Sequence, residues 1–211
     1  MAANDFSLTR VPRHVGFIPD GNRRWAQARG AAKREGYAAG ILPGLRLLDL
    51  CRDLGVAEVS VYGFTKDNVR RASDQVAAFR AACVEFSHRA IAAGAALRVI
   101  GDAKSPVFPE ELAPAAETRC EGDIRVNLLV NYGWQWDFAS LGRTGALASG
   151  DVQRIDLVVR WGGRRRLSGF LPAQCAYADI YVVDSLWPDM APQDFIDALQ
   201  WYQAQDVTLG G

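Results

Sequence analysis

The stretch His14-Val15-Gly16-Phe17-Ile18-Pro19-Asp20-Gly21-Asn22-Arg23-Arg24-Trp25-Ala26 decides how the rest of the chain is read. His14–Ile18 has the composition of a buried strand. A short helix follows over residues 22–29 and stops at Gly30. Between them, Gly21 lets the backbone turn tightly or approach a ligand. A strand running into a polar turn and then a helix is the opening of an α/β layer structure.

The same alternation continues outward. Residues 37–54 have helical spacing, with Ile41, Leu45 and Leu48 on one face, Gly55 as the stop and Pro43 as a kink. Residues 58–62 read as a strand, and 75–93 as a helix with Asp74 as N-cap. Residues 96–100 read as a strand, 109–119 as a helix opened by Pro109, and 124–131 as a strand. Residues 141–151, rich in Gly, Ala and Ser, read as a loop or weak helix. Strands follow at 155–160 and 180–183, and a last helix at 192–205. Strand and helix in alternation predict an α/β fold, a mostly parallel central sheet flanked by helices. At 211 residues, one domain over 1–211 is expected, with ligands outside the carboxyl ends of the strands.

Composition narrows the function. Lys plus Arg number 24, as do Asp plus Glu, so the net charge is zero and binding to nucleic acid by bulk charge is not expected. The arginines are nevertheless clustered: Arg160, Arg164, Arg165 and Arg166 lie close together, and Arg70 adjoins Arg71. Tight clusters in a neutral chain suit a small anion. Cys51, Cys83, Cys120 and Cys175 form no CxxC pair and only two histidines exist, so buried free thiols are expected rather than a zinc site. The first ten residues carry no apolar core of a signal peptide, and no apolar run is long enough to span a bilayer. A cytoplasmic protein without stable membrane insertion is the expectation.

Four polar clusters follow strands. The first, Asp20-Gly21-Asn22-Arg23-Arg24, joins a carboxylate to cations. A carboxylate beside phosphates implies a shared divalent cation; the structural reading is an Asx-turn that caps a helix. The second runs from Tyr62 through Phe64, Thr65 and Asn68 to Arg71, and reads equally as a binding loop or an ordinary capped loop. The third, Arg160-Trp161-Gly162-Gly163-Arg164-Arg165-Arg166-Leu167-Ser168, offers forked donors that match phosphate oxygens, or else is a solvated basic loop. The fourth, around Asp179 and Trp187-Pro188-Asp189, adds a second carboxylate and reads more simply as structural. No P-loop or GxGxxG sequence is present, which disfavours nucleotide chemistry.

These clusters, in this order, resemble the cis-prenyltransferase family, whose best-known members are the undecaprenyl diphosphate synthases. The resemblance runs from about His14 to the C-terminus and includes Asn131-Tyr132-Gly133. It implies a hydrophobic tunnel beneath the sheet's carboxyl end, and a homodimer. It implies an allylic diphosphate over Asp20, Gly21, Asn22 and Arg24, with Arg23, Trp25, Lys33, Tyr37, Tyr62, Phe64 and Thr65 around it. Isopentenyl diphosphate would be held by Arg160, Arg166 and Ser168, with Asn68 and Arg71 at the reacting ends. Magnesium (Mg2+) would sit on Asp20, with Asp179 as a second candidate ligand. The implied reaction joins an allylic diphosphate, dimethylallyl or geranyl, to isopentenyl diphosphate.

Several positions depart from the family pattern. Tyr37 stands where a histidine is usual, Trp161 for a threonine, Arg164 for a glutamate and Asp179 for a glutamate. The C-terminal Val207-Thr208-Leu209-Gly210-Gly211 lacks the usual arginine, whose place the 164–166 loop or a partner protein would take. The helix over 75–93 is about one turn shorter than in long-chain enzymes. That predicts a short product, roughly ten to fifteen carbons, because one turn removes ~5.4 Å of tunnel wall. Gly36 to Ala39 and the missing glutamate also resemble lavandulyl-type synthases, which couple two allylic diphosphates head-to-middle. A non-catalytic diphosphate-binding subunit is the alternative from another class; Asp20, which such subunits typically lose, is present.

Overall fold

A strand with no polar face must be covered on both sides, and His14–Ile18 is buried at all five positions. In the computed structural model, which describes residues 8–206, this strand (β1) lies inside a six-stranded sheet. The others are β2 (Glu58–Tyr62), β3 (Ala95–Ile100), β4 (Ile124–Leu129), β5 (Leu157–Arg160) and β6 (Asp179–Val182). Their order is β3-β4-β2-β1-β5-β6, and every pairing is parallel. The helices are α1 (Asn22–Ala28), α2 (Glu35–Ala39), α3 (Ile41–Asp53), α4 (Ser73–Ala92), α5 (Ala113–Glu117), α6 (Trp134–Ala139), α7 (Leu141–Thr144) and α8 (Pro192–Gln203).

Successive strand residues point to opposite faces, which divides the core in two. Val15, Phe17, Val59, Leu128 and Val159 pack with Leu47 and Cys51 of α3, Phe86 of α4 and Phe195 of α8. Ile18, Ile100, Leu129 and Val158 pack with Tyr132, Ile155, Phe170 and Leu171 from the largely irregular chain before and after β5. That second layer lies very close. A Cβ on Gly16 would stand 2.5 Å from the Phe170 ring.

The expected single helix over 37–54 is two, α2 and α3, broken at Gly40. Trp187 donates its indole N–H to the Gly40 carbonyl at 2.9 Å, and a Cβ there would meet the same ring at 2.8 Å. Pro43 does not kink α3, because it lies in the first turn, where a missing N–H costs nothing. Asp74 is not a cap: α4 starts one residue earlier, and Asp74 instead pairs with Arg34 at 3.4 Å. The segment 109–119 yields a 3-10 turn, Glu110–Leu112, and then only the short α5. α6 had no expectation in the sequence. The four cysteines are free, three buried and Cys120 half-buried. No helix among the described residues is long and apolar enough to cross a membrane.

At the amino end of the sheet a polar network is sealed into the core. Buried His14 has Nδ1 3.1 Å from the Gln153 carbonyl and Nε2 2.9 Å from the Ser60 hydroxyl. Asn127 donates to Ser60 and to Glu58 at 3.1 and 2.7 Å. The carbonyl needs an N–H, so the neutral ring carries its proton on Nδ1 and accepts from Ser60. Burial lowers the His14 pKa, against the opposing pull of Glu58 and Asp156. A depressed folded pKa means stability that is complete above the unfolded value of 6.5 and is lost as pH falls below it. Urea unfolding from about pH 7.5 to 5.5 should therefore show a falling midpoint that His14→Gln flattens. An equal slope in the variant would place the acid sensitivity elsewhere.

Candidate active site

Three loops leave the carboxyl end of the sheet around β1. Strand order reverses here: the chain moves from β1 to β2 on one side, and β5 returns on the other. Such a reversal opens a crevice between the two loops. Ile18 pairs with Arg160 in register, so Asp20 and the 160–168 loop face each other across it.

The β1 loop turns at Gly21, whose φ of 112° suits only glycine and where a Cβ would sit 2.8 Å from Leu186. Asp20 is thereby fixed against two guanidinium groups. Arg160 donates to its Oδ2 at 2.8 Å, and Arg24 lies 3.5 Å from Oδ1. Arg24 also donates to the Gly162 carbonyl at 2.9 Å. Gly162 and Gly163 have φ of 85° and 70°, and a Cβ on Gly162 would collide with Arg24. Arg160 is buried, donates to Ser168 Oγ at 3.0 Å and bonds the Arg166 carbonyl. Ser168 takes a φ of 53°, and its carbonyl accepts the Tyr62 hydroxyl at 2.8 Å.

The third loop is shaped by a reciprocal cap. Thr65 N–H donates to Asn68 Oδ1 at 3.1 Å, opening the 3-10 turn Lys66–Arg70. Arg71 follows it and donates to the Tyr37 hydroxyl at 2.9 Å. Tyr37 stacks on Phe79 of α4, with ring centroids 4.5 Å apart and planes 6° from parallel.

These loops enclose a cleft of about 510 Å³. Its wall carries Arg23, Arg24, Lys33, Arg71, Arg160, Arg164 and Arg166, seven cations against the carboxylates of Asp20 and Asp67. Gly21, Asn22, Tyr37, Tyr62, Thr65, Asn68 and Ser168 of the expected set line it too, Arg164 of the arginine loop is among its cations, and Gln27 and Asp67 join them without having been expected as site residues. Behind it lies an apolar pocket of about 70 Å³, bounded by Phe17, Ile41, Leu47, Leu48, Cys83, Phe86 and Trp187. Pro19, Tyr37, Tyr62, Gly63 and Phe79 line both, and form the neck between them.

Three expected residues lie elsewhere. Phe64 is fully buried behind Phe79, edge-on at 5.6 Å, and supports the neck without reaching the cleft. Trp25 faces outward, bonding Asp189 at 2.7 Å under the Arg29 guanidinium. Asp179 opens β6 opposite Leu157, three positions before Arg160. At ~3.3 Å per strand residue it stands about 10 Å below the end of the sheet where Asp20 sits, too far to share a metal ion within one chain. The terminal segment 207–211, with its missing arginine, lies outside the described residues.

A cationic cleft with one central carboxylate, opening through a neck into an apolar pocket, suits an ionic head on a hydrocarbon tail. The sequence model of the undecaprenyl diphosphate synthase family matches residues 18–144 and 139–210, nearly the whole chain. The chain belongs to this family of prenyltransferases. An isoprenyl transferase of Heliobacterium mobile is 34% identical, over 96% of this chain and 88% of the relative. A ditrans,polycis-undecaprenyl-diphosphate synthase of Pseudomonas syringae pv. tomato is also 34% identical, over 95% and 91%. The fold matches a lavandulyl diphosphate synthase from Lavandula x intermedia, solved with dimethylallyl diphosphate, at a TM-score of 0.77. That match covers 92% of this chain and 96% of the other at 23% identity, and bears on the fold alone.

The departures of this prenyltransferase from its family pattern fall at different depths. Trp161 is fully buried, packed on Trp187 at 4.9 Å and bonded to Asp194 at 3.1 Å, so it belongs to the core. Tyr37 and Arg164 line the cleft and can act on a ligand.

Proposed function

We propose that this prenyltransferase condenses dimethylallyl or geranyl diphosphate with isopentenyl diphosphate to give a short cis-prenyl diphosphate. The observation that carries this is the small apolar pocket joined by a neck to a cleft with cations for two diphosphates. The allylic head lies over Asp20, Gly21, Asn22, Arg24 and Lys33, with its tail through the neck. The isopentenyl head lies on Arg160, Arg166 and Ser168. The allylic C–O bond breaks, the isopentenyl double bond forms the new C–C bond at the allylic C1, and a proton leaves the isopentenyl C2. Fixed guanidinium donors gain strength as charge grows on the departing diphosphate, which lowers the barrier.

Among the described residues no group of three or more His, Cys, Asp or Glu could hold a metal ion by itself. One carboxylate with substrate phosphates is a usual magnesium set, and Asp20 beside a diphosphate fits it. Magnesium held there would offset diphosphate charge. Arg160 and Arg24 hold the Asp20 carboxylate at the centre of the cleft.

Pocket size supports the short product. At about 70 Å³ the pocket is smaller than the ~150 Å³ apolar cavity that admits benzene, so even a short tail enters it only as its walls part, and each further isoprene unit needs more displacement. Phe86 and Leu47 line this pocket without reaching the cleft, so Phe86→Ala should lengthen the product by at least one isoprene unit. It should also cost about 3–5 kcal/mol of stability, measured by thermal melt. The deciding assay incubates the protein with magnesium and labelled dimethylallyl or geranyl diphosphate, with and without isopentenyl diphosphate, and weighs the dephosphorylated products. Mainly products longer than about six isoprene units would refute the short-chain reading.

A second reading, head-to-middle coupling of two allylic diphosphates, is supported by Tyr37 and Arg164 in the cleft. Product formed from the allylic substrate alone would establish it. A homodimer is supported by the open edge of β6, where Ile180 and Tyr177 are exposed, and by exposed Trp134, Phe138 and Leu141 on α6 and α7. The 164–166 loop, or a partner protein other than a second copy of this chain, would take the place of the family's C-terminal arginine.

A further inference from the structure

We infer that Tyr37 is a positioning residue that holds the Arg71 guanidinium at the neck, preformed to donate to a diphosphate. The inference rests on the diphosphate-transfer reading above and concerns how its head-group site is built.

Arg71 forms no ion pair with any carboxylate among the described residues; its bonded partner is the neutral Tyr37 hydroxyl, at 2.9 Å. Its guanidinium carbon stands 5.7 Å from the Phe79 ring centroid and 6.0 Å from that of Tyr37. Burial above all, and the nearby Arg23, disfavour its charge, while Tyr37 and the more distant Asp20 offset them only in part. A half-buried cation on aromatic faces, without a counter-ion, is costly until an anion arrives. Lining the cleft where the neck begins, Arg71 meets the diphosphate end of a substrate whose tail enters the apolar pocket.

Tyr37 determines where that cation points. Its ring is buried, clamped flat on Phe79, and Phe79 is held edge-on by the fully buried Phe64. The hydroxyl can therefore move little, and it accepts from Arg71 Nη1. With its ring locked in the neck, the phenol oxygen fixes one guanidinium N–H of Arg71. Arg71 keeps its remaining N–H groups for phosphate oxygens. An ordered donor loses less entropy on binding, so this contact raises affinity without touching the ligand.

The test is a double-mutant cycle on the full chain, with inorganic diphosphate as the probe and calorimetry as the readout. Wild type, Tyr37→Phe, Arg71→Met and the double variant are compared, and melting curves confirm that all four are folded. Tyr37→Phe keeps the ring stack and removes only the hydroxyl. It should weaken diphosphate about tenfold, Arg71→Met should weaken it more, and the double variant should bind no worse than Arg71→Met alone. Unchanged binding by Tyr37→Phe, or a further tenfold loss in the double variant, overturns the positioning role while the functional reading stands. A wild type that does not bind diphosphate overturns both together.

Discussion

Replacing Asp20 by alanine is expected to lower kcat/KM by about 10³-fold or more while the protein still folds. The carboxylate is the central anion in a wall of seven cations, and it touches Arg160 and Arg24 at once. Without it those arginines lose their alignment and the proposed magnesium loses its protein ligand, two losses that act on the same departing diphosphate. Asp20 is 36% exposed in its side chain, but its loss leaves the buried Arg160 without a counter-charge, so a cost of about 1–2 kcal/mol in stability is expected beside the loss of rate. Asp20→Asn separates the two roles. The amide can still accept from Arg160, but it binds magnesium poorly, so it should lose nearly as much rate and show no magnesium response in a titration. Full activity in either variant would remove Asp20 from the chemistry, and with it the reading of the cleft as a diphosphate site.

Arg160→Met should give the second large loss, at least about a hundredfold in kcat/KM, seen mainly as a raised KM for isopentenyl diphosphate. Arg160 is only 4% exposed, and it ties together Asp20, Ser168 and the Arg166 carbonyl. One side chain thus shapes the whole 160–168 loop. Its removal should also cost about 2 kcal/mol, below the full penalty of a broken buried pair because Asp20 is partly solvated. Kinetics with each substrate varied in turn would check this. An equal rise in KM for both diphosphates would mean that Arg160 serves the cleft as a whole.

Much of the fold was legible because the strands are short segments rich in β-branched and apolar residues, set between longer amphipathic stretches. Residues 14–18, 58–62 and 124–129 stand out against amphipathic surroundings, and the strand-helix alternation names the class. The ends of elements were less legible. Gly40 breaks a helix because Trp187, far away in sequence, needs both its carbonyl and its empty Cβ position. α6 escaped notice because Trp134-Gln135-Trp136-Asp137-Phe138-Ala139 shows no polar face: Trp134 and Phe138 are exposed, whereas Asp137 is buried on Tyr132 and Ser149.

The site divides in the same way. Local chemistry in the sequence by itself determined the anion-binding character: Asp20-Gly21 after a strand, and arginines beside paired glycines after another. Those are short-range patterns, set by backbone geometry and charge. Tertiary structure alone decided which side chains share a space. It brought Gln27 and Asp67 into the cleft, and turned Trp25 outward to Asp189. It put Phe64 behind the neck, and Asp179 at the far end of β6. It also gave Tyr37 a partner in Arg71, across 34 residues. Such assignments depend on strand register and helix packing, which sum contacts over the whole chain and leave no trace in any one segment.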